Sequence, residues 1–482
     1  MQKRNDDQEQ IETIVGLHHY IPEDNILKRV GLVLKTGWVH DLVRDRYSQE
    51  TGRPSIDPES ALRLMLSGFL LGIVHDRELM RRAATDIAIR WFCHYRITDK
   101  LPHHSSLTRI RQRWGEELFR KMFRRIVEQC VEAGLVSCET IHVDSTLVRA
   151  NASVGSIVDV YVERTIQENT ETDNESGDGV DGEGNGDDES VRTQRKGRER
   201  GKSNKVSRSK TDPDVVMVKS RDSQKCIPAY RNHLAVDDRC GVIVDVIATK
   251  ASVGESTQLI GHIEQAAVNT GLKISQVTAD AGYATSANFG DLDKMNIKAA
   301  IPTKNRSKRA KRIPASRFKY DAKYDHVVCP KGRKLRRSKR RDEGWVYSTK
   351  ADDCRGCQLR SRCQYGYKTV RTIYISDGHA AHLRARRMKD RWKKEYGEIY
   401  TRHRWMVEGR ISEVKNRHGL DRARGRGIDN MNIQLLLAAM AVNLKRLASS
   451  LFMPFTALLM PVLAFWIDNT LFRLKTSPQP TW

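Results

Sequence analysis

Three acids are set where acids are not needed for folding. Asp144 interrupts IHVDSTLVR, a run that otherwise has the β-branched and apolar content of a strand. Asp280 ends SQVTAD and leads into Ala281-Gly282-Tyr283, so it closes a strand just before a tight turn. Glu408 lies in a helical stretch with Arg404 four residues before it and Lys415 seven after, and this spacing puts all three on one helix face. The neighbouring acid Glu413 falls about 140° around that helix. Isolated carboxylates on rigid elements are what phosphodiester cleavage and transfer require, because a pair of divalent ions about 4 Å apart can activate the attacking oxygen and stabilise the leaving one. Magnesium, or manganese in its place, takes a few carboxylates and keeps much of its water. Each acid also has a plainer reading: an Asp beside Ser, Thr or Gly is commonly a cap or turn former, and Arg404 with Glu408 makes a surface ion pair.

Cysteine supplies a second candidate. Cys329, Cys354, Cys357 and Cys363 include one C-x2-C pair and lie between Asp280 and Glu408. Four thiols in reach suit a structural zinc ion, and reduced, unliganded thiols are the alternative. Nine cysteines, an odd number, argue against a disulfide scaffold.

These residues need elements to carry them. Asp57-Pro58 is an N-cap with proline at the first helical position, and Leu62, Met65, Leu66, Phe69, Leu70 and Ile73 follow at helical spacing. Ser105 or Ser106 caps a further segment with Leu107, Ile110 and Trp114 on one face and Arg109, Arg111 and Arg113 around the rest. The next helix runs from Leu118 to Val131 and stops at Gly134. Such helices build either a helix-turn-helix DNA reader or an ordinary bundle with solvated arginines. From Thr140 the period changes to that of strands: 140–149, 229–236, 242–248, 275–279 and 298–301, with a helix at 256–267, predict a mixed α/β domain. Helices return from about Ala380, one of them ending at Arg417, and another follows the Arg424-Gly425-Arg426-Gly427 break from Met431 to Leu447.

Charge fills in the rest. The 482 residues hold 84 Lys plus Arg against 60 Asp plus Glu, a net +24 that favours a polyanionic partner, nucleic acid first. Within residues 163–211, Glu168 to Glu189 has ten acids and no base, and Arg192 to Lys210 has nine bases and one acid. Neither half can bury a core, which predicts a disordered or loosely self-associated insert. Thr303 to Arg341 holds seventeen bases and two acids among Phe318, Tyr320 and Tyr324, a mix suited to phosphate contact and base stacking. The opening residues lack the apolar stretch of a signal peptide, so the chain reads as cytoplasmic and associated with the nucleoid. Leu451 to Ile467 is uncharged but broken by Pro454 and Pro461, and is expected to be a buried or docking helix rather than a membrane anchor.

Taken together, HVDSTLVRANAS, TDPD before YRNHLAVD, VTADAGY and YTRHRWMVEGRISEVKNRHGLDRARGRG resemble bacterial and archaeal insertion-sequence transposases of the DDE superfamily. PSIDPESALRLMLSGFLLG is similar to their helical DNA-binding domain. The resemblance spans about residues 50 to 447. It implies an RNase H-like core with Asp144, Asp280 and Glu408 as metal-binding catalytic acids, with Arg404 and Lys415 near the reacting phosphate. Related transposases often carry a cysteine cluster where this chain has one. The family's tyrosine falls at Thr401 here, with Tyr400 next to it. The implied substrates are double-stranded DNA carrying terminal inverted repeats and a target DNA, cut and joined by a homodimer, with no membrane involved. The expected organisation is an N-terminal extension (1–50), a helical DNA-binding domain (51–136), the first part of an RNase H-like α/β core (137–302), a basic, Cys-containing insertion (303–378), a helical completion with the catalytic Glu (379–449) and an apolar tail (450–482). A non-catalytic DNA-binding protein, a decayed transposase, and an RNase H-like nuclease of another pathway are the competing readings.

Overall fold

The computed structural model describes residues 16–48, 55–161, 205–219, 226–303, 313–341, 344–364, 369–388 and 391–451. The chain opens in helices: α1 (Ile26–Val33), α2 (Trp38–Val43), α3 (Pro58–Leu70), α4 (Asp76–Thr85), α5 (Ile87–Phe92) and α6 (His104–Glu132). The Asp57 carboxylate accepts the Ser60 amide at the head of α3, as the Asp-Pro pair predicts. At the head of α6 the cap differs from expectation, because the His103 ring accepts the Ser105 amide and the serines lie inside the helix. Gly115, at φ 70°, kinks α6 between its basic and apolar segments. Helices α1 and α2 fall in the stretch read as an N-terminal extension, yet Leu27, Val30, Val39 and Val43 are buried in the same core as the helices that follow.

The α/β part is built on β1 (Thr140–Arg149). Strands β2 (Ile157–Tyr161) and β3 (Lys205–Ser209) form an antiparallel two-stranded ladder. Residues 205–209, expected to lie in the disordered insert, are therefore paired; residues 163–204 of that insert lie outside the described residues. β4 (Val216–Lys219), β5 (Cys226–Asp237), β6 (Ile243–Lys250), α7 (Leu259–Thr270), β7 (Gln276–Ala279), α8 (Ser286–Lys294) and β8 (Lys298–Ala300) follow. β1 pairs antiparallel with β5 and parallel with β7, β7 pairs parallel with β8, and β5 carries both β4 and β6 antiparallel. The result is a mixed six-stranded sheet in which β1 is central. All five strands read from the sequence are present.

The basic stretch after residue 313 is a second sheet. β9 (Lys319–Asp321), β10 (His326–Val328), β11 (Lys334–Arg341), β12 (Gly344–Ser348) and β13 (Thr372–Ser376) are all antiparallel. Phe318, Val327, Leu335, Tyr347, Ile373 and Ile375 form a small core of their own. On β11 only Leu335 is buried, so the bases form its solvated face, with Arg337 stacked over Trp345 at 4.3 Å. Short helices α9 (Ala351–Cys354) and α10 (Arg360–Cys363) lie between β12 and β13.

The chain finishes in α11 (His379–Arg387), α12 (Trp392–His403), a π-helical turn (Arg404–Glu408), α13 (Gly409–Arg417) and α14 (Ile428–Leu451). α14 is buried all round from Leu435 to Val442 and packs against α1, α3, α6 and β6. Asn443 bonds both the amide and the carbonyl of Ile243, and Asn432 accepts the Ala248 amide, so the helix seals the outer edge of β6. Among the described residues no helix is long and apolar enough to cross a membrane. The apolar tail beyond Leu451 lies outside them.

Glu413 on α13 clamps that helix to α14. Its side chain is 12 % exposed and ion-pairs with Arg410, Lys445 and Arg446 at 2.7 to 3.0 Å. Burial alone would raise its pKa. Hydrogen bonds from His418 and Lys445 and the nearby Arg410 charge reverse that and hold it at about 2, against an ordinary 4.5. A depressed acid contributes stability that is complete above its unfolded value and is lost as pH falls through the folded one. Glu413→Gln should therefore cost about 3 kcal/mol near neutral pH, as loss of one partner of a buried network does. In melting curves the gap to the parent should close as pH falls from about 5 toward 2. A gap that stays constant over that range would mean Glu413 is not ionised in the fold.

Candidate active site

The register of β1 and β7 brings the first two acids together. Val143 stands opposite Ala279 in a parallel ladder, so the next residue on each strand is Asp144 and Asp280. In-register neighbours project to the same face, on strands about 4.8 Å apart. Asp144 accepts its neighbour's amide, Ser145 N, at 2.7 Å, and Asp280 accepts the Gly282 amide at 2.6 Å as the cap of the turn Ala281–Tyr283. Both acids are thus the local cap formers that their neighbours suggest, and both still line one pocket of about 290 Å³ with Glu408. Gly282 is dictated by crowding, since a Cβ there would sit 2.6 Å from a Glu255 carboxylate oxygen and 2.7 Å from one of Asp280.

Glu408 approaches from the π-turn. Its side chain is 58 % exposed and Arg404 is 3.6 Å away, so the surface ion pair considered from sequence exists. Buried Val407 anchors the turn, and Trp405 projects into solvent, 77 % exposed. The π-turn also brings Tyr400, and not Thr401, to the pocket. In an unbroken α-helix Tyr400 and Glu408 would be about 80° apart; one π-turn absorbs an extra residue and reduces this to about 20°. Tyr400 lines the pocket, whereas the Thr401 hydroxyl donates to the Gly397 carbonyl. Lys415, half-buried on α13, is not among the pocket residues.

The sequence reading missed a fourth acid. Glu255, on the turn Glu255–Gln258 before α7, lines the same pocket. It accepts the Ser145 hydroxyl at 2.8 Å and Arg231 at 2.8 Å. Its only trace in the sequence is an acid at the head of a helical stretch, the commonest position for an ordinary first-turn acid. Beneath the carboxylates a second group went unread. His142 and His403 share the Thr278 hydroxyl at 2.6 and 2.7 Å, and the far nitrogen of His142 meets Asp238 at 2.9 Å. Burial lowers both histidines, His403 to about 3, so the chain is a neutral tie joining β1, β7 and α12.

The electrostatics of the pocket are those of an uncompensated cluster. Burial first, then the charges of Asp280, Glu255 and Glu408, push Asp144 up to about 7. Arg231 pairs with Glu255 and Arg404 with Glu408, which leaves Asp144 and Asp280 without a cationic partner among the described residues. Oxygen donors in this state suit a hard divalent ion. Among the described residues no three His, Cys, Asp or Glu side chains are already closed into a metal-holding arrangement, here or elsewhere.

The four cysteines also converge. Cys329, Cys354, Cys357 and Cys363 line a pocket of about 320 Å³ at the end of the second sheet. The Arg333 amide points at the Cys329 sulfur, 3.3 Å away. Burial and then the neighbouring thiols raise Cys363 despite nearby Arg371. The arginines read as DNA contacts diverge: Arg109 is exposed, Arg113 lies over the Tyr47 ring at 5.0 Å, and Arg111 is ion-paired with Asp76.

Comparison with known proteins finds two family matches. Residues 15–113 match the family described as Transposase domain (DUF772), and residues 328–448 match Transposase DDE domain. Glu408 lies inside the second match; Asp144 and Asp280 lie between the two. No curated protein shows a significant match. Among solved structures, the chain is similar to a piggyBac transposase in a synaptic complex with hairpin DNA, at 10% identity and a TM-score of 0.31, covering 96% of this chain and 86% of that one. The chain thus carries a region matching a transposase domain and a region matching a transposase DDE domain.

Proposed function

We propose that the protein cuts DNA at the terminal inverted repeats of an insertion sequence and joins the freed ends to target DNA, with Asp144, Asp280 and Glu408 as the catalytic acids. The observation that carries this reading is the shared pocket of those three acids, with Tyr400 and Arg404 on its wall. The strand order β6-β5-β1-β7-β8, antiparallel on one side of β1 and parallel on the other, supports an RNase H-like core. Two magnesium or manganese ions held by the acids would supply a polarised phosphorus centre and an activated oxygen nucleophile. Glu255 is held by Ser145 and Arg231, which suits it to fix the pocket wall more than to take a ligand. Arg404, 70 % exposed beside Glu408, is the cation able to meet a phosphate oxygen. Arg109 and Arg113 on the exposed side of α6, and the basic face of β11, would track the duplex backbone. Two DNA ends must be held together for joining, which favours a homodimer on DNA.

Asp144→Asn, Asp280→Asn and Glu408→Gln should each lower metal-dependent nicking of a labelled terminal-repeat duplex by roughly 100-fold or more, a loss of several kcal/mol of charge stabilisation, while duplex binding persists. Nicking at parental rates by Glu408→Gln would remove this helix from the catalytic assignment.

The cysteine pocket is read as a structural zinc site whose four thiolates staple α9 and α10 to the second sheet. Protein purified without chelator should carry about one zinc per chain, and Cys357→Ser should lose it. Zinc-free protein with an unchanged melting curve would reject that site.

A further inference from the structure

The Arg424-Gly425-Arg426-Gly427 break, set aside in the sequence as a mere interruption between helices, lines a second polar cleft. It lies between the helical region and the α/β part, with a volume of about 480 Å³, and is walled by Phe69, Asp76, Arg111, Asn151, Arg424 and Arg426 among others. The loop that forms it is held rigidly. Asn151 donates to the Arg424 carbonyl, Gln434 donates to the Gly419 and Arg422 carbonyls and accepts the Arg424 amide, and Asn430 donates to the Arg426 carbonyl.

Arg424 is the anomaly in this cleft. Its Nε and Nη2 are buried and have no hydrogen-bond partner, and no carboxylate is at ion-pair distance among the described residues. The guanidinium stacks over the Phe69 ring at 4.0 Å. Gly419, at φ +67°, is needed to admit it: a Cβ there would lie 2.9 Å from Nη2. Asp76, the nearest acid to act on it, is already committed to Arg111. Burial lowers the Arg424 pKa to about 10, so it stays charged at neutral pH. A cation–π contact offsets only part of the desolvation of a guanidinium. A cation withdrawn from water without an anion in contact is costly, and Asp76 acts on this one only at a distance while paired with Arg111.

We infer that this cleft is a phosphate site, and that it takes a backbone phosphodiester of the DNA engaged at the carboxylate pocket, with half-buried Arg424 as the inner cation and Arg426 on the rim. The inference rests on the DNA reading above for its ligand, and on the cleft alone for its chemistry. Geometry supports the link. Arg149 ends β1 and bridges Arg422 of the cleft loop. At ~3.3 Å per residue that point is ~16 Å along β1 from Asp144. Phosphates advance ~3.4 Å per base pair, so a duplex at the acids has a phosphate about five base pairs away to offer.

The test uses the full chain and two probes, inorganic phosphate and a terminal-repeat duplex, with Arg424→Met and Arg426→Gln. Methionine keeps an apolar contact on Phe69 and removes the buried charge, so the unliganded variant should melt no lower than the parent. Phosphate should raise the melting temperature of the parent and not of Arg424→Met. The slope of log affinity for duplex against log salt should become shallower by about 0.9 in each variant, the loss of one phosphate contact. A phosphate-induced shift that survives in Arg424→Met overturns the site and leaves Arg424 a packing residue. A shift that is lost while both variants keep the parental salt slope overturns the DNA assignment in favour of a free phosphate. If the parent binds no duplex but Arg424→Met alone loses the phosphate shift, the transposition reading and the DNA ligand both fall and the anion cleft stands. Should Arg424→Met melt below the parent, the exposed Arg426→Gln decides the DNA assignment by its salt slope.

Discussion

Two carboxylates on adjacent strands repel one another, and much of this fold can be understood as what holds them there. At a separation of about 5 Å and an effective dielectric near 20, two full charges cost ~3 kcal/mol. Asp144 and Asp280 cannot relax apart, because their strands are locked in a parallel ladder that ends one residue earlier. Their inward oxygens are pinned by the amides of Ser145 and Gly282. Below them the His142–Thr278–His403 tie is neutral and fully hydrogen-bonded along its length, so it adds rigidity without adding charge. Burial is the larger cause of the upward shift of Asp144, and the repulsion from Asp280, Glu255 and Glu408 adds to it. A divalent ion would release that repulsion, which is why the same arrangement both weakens the empty fold and favours metal.

The third acid is brought in differently. Glu408 sits on a turn that is half open to solvent, and the backbone there is a π-turn, a geometry that recurs at functional positions because it re-aims side chains at a cost in helix regularity. Here it rotates Tyr400 onto the same face as Glu408. The helix after it cannot drift, since Glu413 locks α13 to α14 through Lys445 and Arg446. Two glutamates five residues apart therefore have opposite work: one is exposed and aimed at the pocket, the other is buried and structural.

What could be read from the sequence follows from which signals are local. Strand alternation, the Asp57-Pro58 cap and the Gly134 stop are local, and each appears where it was read. The adjacency of Asp144 and Asp280 is a register fact across more than a hundred residues, and only family resemblance could suggest it. Glu255 looked like an ordinary helix-start acid, because nothing nearby in sequence distinguishes a first-turn acid that caps from one that faces a pocket. The π-turn has no sequence signature here, so Tyr400 and Thr401 could not be separated by counting. The basic run 303–341 reads as bases and aromatics suited to nucleic acid, without strands; the strand β11 hidden in it buries a single leucine, too little apolar alternation to register against six bases.

Helix α14 joins the helical region rigidly to the sheet that carries the carboxylates. Its buried face packs on α1, α3 and α6, and its asparagines close the edge of β6. The buried residues of the helical region and of the α/β sheet accordingly form one continuous core. The close approach is repeated at Gly72, where a Cβ would come within 3.0 Å of the Arg417 carbonyl at the end of α13. Docking of this kind leaves no hinge between the surface that carries Arg109 and Arg113 and the pocket that carries Asp144. On the proposed reading, a duplex bound by the first would reach the second at a fixed offset, and positioning of this sort can account for a large share of rate acceleration in a reaction whose chemistry is supplied by a few carboxylates.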